Sequence, residues 1–567
     1  MDKNKKFFEE FKNSPLKKTL EKNPVAFFCA EYALTTSIPT YAGGLGVLAG
    51  DFIHEAADQD FPLVAVGIYY NDGYETLHHV DQKGYIEEPH VHHIPENLGL
   101  EALLDENGQR LLISVPIRNK TIFAQVWLWH IKNVKLFLLD TNVEKNSPSD
   151  RKITDHLYVI DKETRIAQEV VLGIGGFRLL KTQGVTPSVF HMNEGHSAFL
   201  SLELIRSEMQ EKNLNFSQAA EEIKKKIVFT NHTLVPAGNE VFSADLAELT
   251  LSCFAKEMGV EPKNIMELGK AKNSEEFSLT NLSFHLASKS NAVSQIHAQS
   301  AAKIWPESPM IPITNGIHIP TWNAIPEDSD LWKGHQSNKK ELLQAIHLAS
   351  GQVWKEDELL IGWARRFVSY KRPMALLDDL TRLLSIAKKE DRPVRIVYSG
   401  TLHPSDIEGT RGLEKLHGLV EKELRGVAVY LSGYNIELAK LLVAGCDVWL
   451  NTPIVGNEAC GTSGMKAALN GSLPLSTKDG WMADIDFYGI GWALDDEKIT
   501  ESILDTLENE IIPLYYRRHE NNEPFHWIQS MQNSRSLIQE KYSTTRMLSE
   551  YIEKLYSPLI NNDNPSL

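Results

Sequence analysis

The chain has 567 residues, 42% of them apolar and 23% charged, with 58 Lys and Arg against 75 Asp and Glu for a formal charge of −17. That length exceeds one hydrophobic core, so two domains of roughly 200–300 residues are expected, and the acidic balance argues against a nucleic-acid binder, whose affinity rests on Lys and Arg neutralising phosphates. Four scattered cysteines without a CxxC pair, Cys29, Cys253, Cys446 and Cys460, read as reduced thiols; with no signal-peptide stretch at the N-terminus and no run that would span a bilayer, a soluble cytoplasmic protein without a membrane partner is expected.

In chain order, "PVAFFCAEYAL" (24–34) and "PLVAVGIYY" (62–70) read as buried strands flanking the helix candidate "VLAGDFIHEAADQD". Continuous apolar runs with helices between them predict parallel strands covered on both faces. "QRLLISVPI", "TIFAQVWLWHI" and "VKLFLLDT" follow between 109 and 141 without helices, which predicts an antiparallel insertion. Strand–helix order then resumes through "SVFHMNEGHSAFLSLELIR", "KIVFTNHT", "HLASKSNAVSQIHAQSAAKIW" and "IPITNGIHIPTW". Residues 323–355 carry no strand signal and are expected to connect two halves. A second series begins at "LLIGWARRF", with a helix expected from Pro373, and continues through "VRIVYSG", "VAVYLSG", "DVWLNTP" and "GIGWAL". The tail, 499–567, has helical spacing and is expected to wrap back over the first half. The expectation is an α/β chain of two parallel halves facing a cleft, with ligands at the carboxyl ends of the strands.

Three stretches stand where such strands end. "TYAGGLGVLAG" (40–50) is a glycine-rich turn leading into a helix, where Gly43, Gly44 and Gly46 let backbone N–H groups approach an anion. It lacks the spacing of a dinucleotide fingerprint or a P-loop. "ARRFVSYKRP" (364–373) packs four cations into eight residues behind a buried strand. A basic run is usually a solvated face, but this placement in an acidic chain favours an anion site. "GNEACGTSGMKAALNG" (456–471) puts Lys466 in the first turn of a short helix, where the macrodipole opposes it. An exposed, snorkelling lysine is the ordinary reading, and a lysine beside a phosphate-bearing ligand the sharper one. His196 in "NEGHSAF" and Asn315 in "TNGIH" read on their own as structural residues. No H-E-x-x-H or G-x-S-x-G is present, so neither a metal site nor a serine hydrolase is expected.

Taken together, these stretches resemble the α-glucan phosphorylases of glycogen, starch and maltodextrin. "EACGTSGMKAALNG" is similar to their pyridoxal-phosphate segment, "RRFVSYKRP" to their phosphate-site motif, and "AGGLGVLAGD", "NEGHSAF", "NHT" and "TNGIHIPTW" follow in family order, over about residues 24 to 485. The length resembles the short bacterial-type members, which lack the N-terminal regulatory extension of the long ones. The resemblance implies two Rossmann-like domains facing across a deep cleft, the GT-B architecture: 1–340 on the glucan side with the antiparallel insertion, 341–530 binding cofactor and phosphate, and a helical tail 531–567 returning to the first domain. It implies pyridoxal 5'-phosphate joined as an imine to Lys466, with Gly461, Thr462 and Ser463 near the cofactor phosphate, Arg365 beside it and Tyr434 in the cofactor site. Arg366 and Lys371 are implied to hold substrate phosphate, and the N–H of Gly44, beside Gly43, to add a neutral donor. Glu458 is implied to accept from a sugar hydroxyl, Asn315 to bind the sugar, Ala459, Cys460 and Gly461 to line the substrate site, and His196 to contact the glucosyl unit. The implied reaction is reversible phosphorolysis of a terminal α-1,4 bond of a glucan or maltodextrin by inorganic phosphate, giving glucose 1-phosphate with retention.

The basic cluster answers an electrostatic need. Two unit charges about 5 Å apart repel by roughly 3 kcal/mol at an effective dielectric of about 20, so two facing dianions need cations or a proton between them. The sequence departs from the family pattern at Cys460, usually serine, at Thr401, commonly lysine, and at Asn435, arginine in the long enzymes. Two other readings are a sugar-nucleotide-dependent glucosyltransferase of the same architecture, which has no need of Lys466, and a catalytically silent glucan-binding homologue, toward which Thr401 and Cys460 point. Chain-length preference, effectors and assembly, a homodimer among the options, stay open at this level.

Overall fold

The computed structural model describes residues 3–74, 77–80, 84–87, 93–234, 239–270, 274–403, 406–519 and 523–563. The apolar runs of the first half become ten strands: β1 (Val25–Phe28), β2 (Leu63–Ile68), β3 (Glu101–Ala102), β4 (Leu112–Ile117), β5 (Lys120–Ile131), β6 (Val134–Asp140), β7 (Val189–Asn193), β8 (Ile227–Asn231), β9 (Lys289–Ala292) and β10 (Ile311–Pro312). They form one sheet in the order β10-β9-β8-β7-β1-β2-β6-β5-β3, with β4 also paired to β5. The strands from β10 to β6 are parallel, while β3, β4 and β6 meet β5 antiparallel. The stretch expected as an antiparallel insertion does pair antiparallel, and β6 joins it to the parallel sheet through β2. Alternate residues serve opposite faces: Phe28, Val66 and Leu139 enter one core, and Phe27, Ala65 and Leu138 the other. Both faces are covered, which explains why these strands are apolar throughout rather than alternating.

A 20-residue helix (Leu331–Ser350), capped by the Asp330 side chain, leads into the second sheet, and residue 340 lies inside it. The second sheet contains β11 (Leu359–Ala364), β12 (Val394–Ser399), β13 (Ala428–Leu431), β14 (Val448–Asn451), β15 (Leu473–Thr477) and β16 (Trp492–Leu494). All its pairs are parallel, in the order β13-β12-β11-β14-β15-β16. This is the doubly wound dinucleotide-fold order, whose reversal between β11 and β14 opens a crevice at the strand ends.

No helix starts at Pro373. Arg372 adopts a left-handed conformation, φ 45°, because its guanidinium is tied to the carbonyls of Thr452 (2.8 Å), Pro453 (2.8 Å) and Asp496 (2.9 Å). The chain runs through two short 3-10 turns instead, and helix Leu380–Ala387 begins after the Asp379 cap.

The glycine-rich turn leads into α1 (Gly44–Asp58), and the lysine segment forms α2 (Ser463–Leu469). Helix Phe525–Lys541, which spans residue 530, is followed by α3 (Thr544–Tyr551). The latter packs on α1: the Thr544 hydroxyl donates to Glu55 at 2.8 Å and the rings of Phe52 and Tyr551 lie 5.7 Å apart. Beyond it, the Tyr556 hydroxyl meets His191 of β7 at 2.7 Å. The C-terminal helices thus close onto the first sheet. No helix among the described residues is long and apolar enough to cross a membrane.

Candidate active site

The two arginines Arg365 and Arg366 follow directly on β11, and Lys466 sits on α2 after β14, so both motifs emerge at the carboxyl ends that flank the reversal of the second sheet. The β12 turn presses close beneath them: a Cβ on Gly400 would lie 2.0 Å from the Arg365 carbonyl. Only glycine permits that approach.

Lys466 is 6% exposed. Its ammonium lies 4.1 Å from the centre of the Trp322 ring, and among the described residues no carboxylate pairs with it directly. Burial holds its pKa below the ordinary lysine value, against the pull of Asp51. A desolvated lysine of this kind gives up its proton more readily than an exposed one, which suits attack on a carbonyl group. The backbone behind it is fixed by the buried Asn470, whose side chain donates to the Lys466 carbonyl (2.9 Å) and the Trp322 carbonyl (2.8 Å) and accepts from the Ala324 N–H (2.8 Å).

Glu458 organises the cations. It accepts from Arg365 at 3.1 Å and lies 3.7 Å from Lys371. Burial alone would raise its pKa, but Lys371 and Arg365 more than offset this and hold it low. Burial pushes the Lys371 ammonium down to about 7, against the attraction of Glu458 and with the repulsion of both arginines. The Nε of Arg365 is buried with no partner, a donor left over for a ligand. Arg366 is exposed to solvent yet hemmed in by Tyr74, Tyr370, Tyr158 and Glu31, as a side chain facing into a concavity is. Tyr434 lies near Arg365 and Tyr41, its hydroxyl pushed up to about 12 by burial. Asp479 holds Glu458 from behind, accepting from the N–H groups of Glu458 (2.8 Å) and Asn457 (3.2 Å).

The first sheet supplies the facing groups. Gly43 and Gly44 open α1 with free space where side chains would project. Glu31, just beyond β1, secures that turn by accepting from the N–H of Ala42 (2.7 Å) and Gly43 (3.2 Å) and from the Tyr158 hydroxyl (2.5 Å). His196 follows β7 in a 3-10 turn, its ring 5.8 Å from that of Tyr158 and its Nδ1 buried without a partner. Burial, aided by Arg165, keeps it neutral. Asn315 is buried with an unpartnered Oδ1, beside the Cys460 thiol. Ala459 is reached from the first half by the Ser294 hydroxyl, which donates to its carbonyl at 2.6 Å.

Not every anticipated residue points to one place. Ser463 accepts from the Trp449 indole at 3.3 Å, and the Gly461 carbonyl from the Trp481 indole at 3.2 Å, so both also brace α2 against the core. The Thr462 side chain makes no capping hydrogen bond. Arg372, fourth cation of the cluster, is a clamp on neighbouring carbonyls. Asn435 caps helix Ile436–Gly445, accepting from the Leu438 N–H at 2.9 Å. Glu31, Asp51, Tyr158, Trp322, Asn470 and Asp479 were not singled out from the sequence. Asp51, Trp322 and Asn470 carried a signal there, inside "AGGLGVLAGD", "TNGIHIPTW" and "KAALNG".

The donor set is an amine of low basicity, a cluster of cations with one donor unsatisfied, and open backbone at a helix start. It fits a carbonyl compound that carries a phosphate, together with a second anion. Comparison with known proteins agrees with this chemistry. The carbohydrate phosphorylase family pattern matches residues 328–564. The chain is 36% identical to a maltodextrin phosphorylase of Thermococcus litoralis, over 95% of this chain and 71% of that protein. It is 34% identical to a glycogen phosphorylase of Aquifex aeolicus, over 96% and 87%, and 31% identical to an uncharacterized protein of Methanocaldococcus jannaschii, over 94% and 99%. With these similarities along nearly its whole length, the chain belongs to the carbohydrate phosphorylase family.

Proposed function

We propose that this protein is a pyridoxal-phosphate-dependent α-glucan phosphorylase that cleaves terminal α-1,4 bonds with inorganic phosphate to give α-glucose 1-phosphate with retention. The observation that carries the reading is the buried, weakly basic Lys466 on the same crevice as Arg365, Arg366 and Lys371. A glucosyltransferase using a sugar nucleotide has no use for such an amine. In the proposed division, residues 1–340 form the glucan side, 341–530 the cofactor and phosphate side, and 531–567 the returning tail. The first two face each other as in GT-B enzymes, and the helices through 340 and 530 make these dividers nominal. The acidic chain with four free cysteines suits the cytoplasm.

Lys466 would anchor the cofactor, with Gly461, Thr462, Ser463, Arg365 and Tyr434 around it. When bound, the cofactor supplies a phosphate group that relays a proton to and from substrate phosphate. The residues of the chain do the rest. Arg366 and Lys371 bind the substrate phosphate, and the Gly44 N–H adds a neutral donor; together they offset repulsion between the two anions. Glu458 spaces the cations and, with Ala459, Cys460 and Asn315, orients the sugar. His196, held neutral, offers its unpartnered Nδ1 to the glucosyl unit at the reacting centre. No pair of carboxylates of the glycosidase kind is required, because phosphate serves as both acid and nucleophile.

The reading is tested by incubating the protein with pyridoxal phosphate, reducing with borohydride and mapping the peptides. Modification at Lys466 is expected. A chain that takes up the cofactor elsewhere, or not at all, moves the assignment to the sugar-nucleotide enzyme.

A further inference from the structure

Asp51 lies two helical turns beyond Gly44 on α1, closes the stretch "AGGLGVLAGD" without having been given a role there, and is 3% exposed. A buried carboxylate with no nearby cation is costly and demands a partner. Its Oδ1 accepts from the Trp322 indole N–H at 2.8 Å, and the His318 backbone N–H also points at it. The face of the same indole lies 4.1 Å from the Lys466 nitrogen. One aromatic ring therefore stands between the acid and the amine, its edge bound to the anion and its face to the cation. A carboxylate on the indole N–H makes the ring face more negative and strengthens its hold on a cation. The backbones that carry the ring and the lysine are tied together, since Asn470 donates to the main-chain carbonyls of both Trp322 and Lys466.

We propose that Asp51, fixed by the Trp322 indole, is the counter-ion of Lys466: it orients the nitrogen under the ring and helps hold its proton. This deepens the proposed function, since it rests on Lys466 being the anchoring amine. The other titratable groups around the pair are accounted for. Glu55, one turn further along α1, accepts from Thr544 and Gln59 at 2.8 Å each, and Cys460, beside Lys466, is pushed up to about 12 by burial and stays a neutral thiol. Burial raises Asp51 to about 6 and holds Lys466 low while the two attract each other. The acid is thus ionised at pH 7, and its pull on the lysine proton is lost as the pH falls through about 6.

The experiment uses the full chain without added cofactor, so that it is independent of pyridoxal phosphate uptake. Lysines are acetylated briefly with limiting acetic anhydride across a pH series. Mass spectrometry then compares Lys466 with the exposed Lys388. Asp51→Asn is expected to lower the pH midpoint for Lys466 by about one unit, or roughly tenfold faster labelling below both midpoints. Asp51→Glu is expected to stay near the native midpoint. Trp322→Phe, which keeps the ring and loses the N–H, is expected to shift it down by less, and stands in should Asp51→Asn not fold. Identical midpoints in the native chain and Asp51→Asn overturn the proposal. So does a Lys466 that labels at no pH, because its amine is then closed to solutes. Failure to bind pyridoxal phosphate with a shifted midpoint would instead overturn the proposed function and leave the counter-ion pair standing.

Discussion

Arg366 and Lys371 sit in the same crevice but differ in kind. A guanidinium such as Arg366 is a permanently charged fork able to hold a phosphate with two parallel hydrogen bonds, while the Lys371 ammonium is a point charge. Arg366→Lys keeps the charge and loses the fork. Losing one charge-assisted contact costs on the order of 1.5–3 kcal/mol, so the specificity constant for phosphate is expected to drop roughly ten- to a hundredfold. Cofactor content, read from its absorbance, should stay nearly unchanged. Steady-state phosphorolysis at varied phosphate checks this, and normal kinetics would make the cluster a solvated basic face. Lys371 carries a pH signature. Burial, outweighing the attraction of Glu458, places its pKa at about 7, so its charge is present below that pH and lost above it. The specificity constant for phosphate is therefore expected to fall on the alkaline side of pH 7. In Lys371→Arg that limb should move to higher pH, and the comparison with the native enzyme cancels the titration of phosphate itself. Superimposable profiles would remove Lys371 from the phosphate site.

The short helix α2 is held less by its own seven residues than by what grips it. Asn470 is the principal grip, with buried hydrogen bonds to Trp322 and Lys466 and a part-buried one from Ala324. Asn470→Ala leaves buried donors and acceptors unpaired at about 1–3 kcal/mol each. A lowered melting temperature and faster loss of cofactor on dilution are expected, both measurable by following cofactor absorbance during heating and dialysis. Retention of both would mean the helix is fixed from elsewhere. At this scale the sequence was an uneven guide. The lysine segment was legible because a lone cation among small residues at a glycine-rich helix entry stands out, although the helix begins at Ser463 and places Lys466 in its last turn rather than the first turn expected. The role of Asp51 was not, because an acid inside a helix reads as part of its polar face, and only the tertiary packing of Trp322 against α1 shows it buried. Glu31 was concealed in the apolar run "FFCAEYAL". Arg372 looked equal to its basic neighbours, yet backbone carbonyls from distant loops claim it, and that same claim moves the following helix from Pro373 to Leu380.

At the scale of the molecule, strands alternating with helices disclosed the α/β class, but the order of strands within each sheet depends on which edge each crossover reaches, and no local pattern records that. The order matters for function, since the reversal between β11 and β14 is what delivers the arginine pair and Lys466 to one crevice. The first sheet brings His196, Asn315 and the glycine turn from the ends of its own strands, and the contacts of Ser294 with Ala459 and of Trp322 with Lys466 join the two sets. The central claim, that phosphate attacks the glucan here, is tested most directly by incubating the cofactor-loaded protein with maltodextrin, with and without inorganic phosphate, and assaying both glucose 1-phosphate and free glucose. Glucose 1-phosphate that forms only when phosphate is present is the result predicted; free glucose released at the same rate without phosphate would contradict the account.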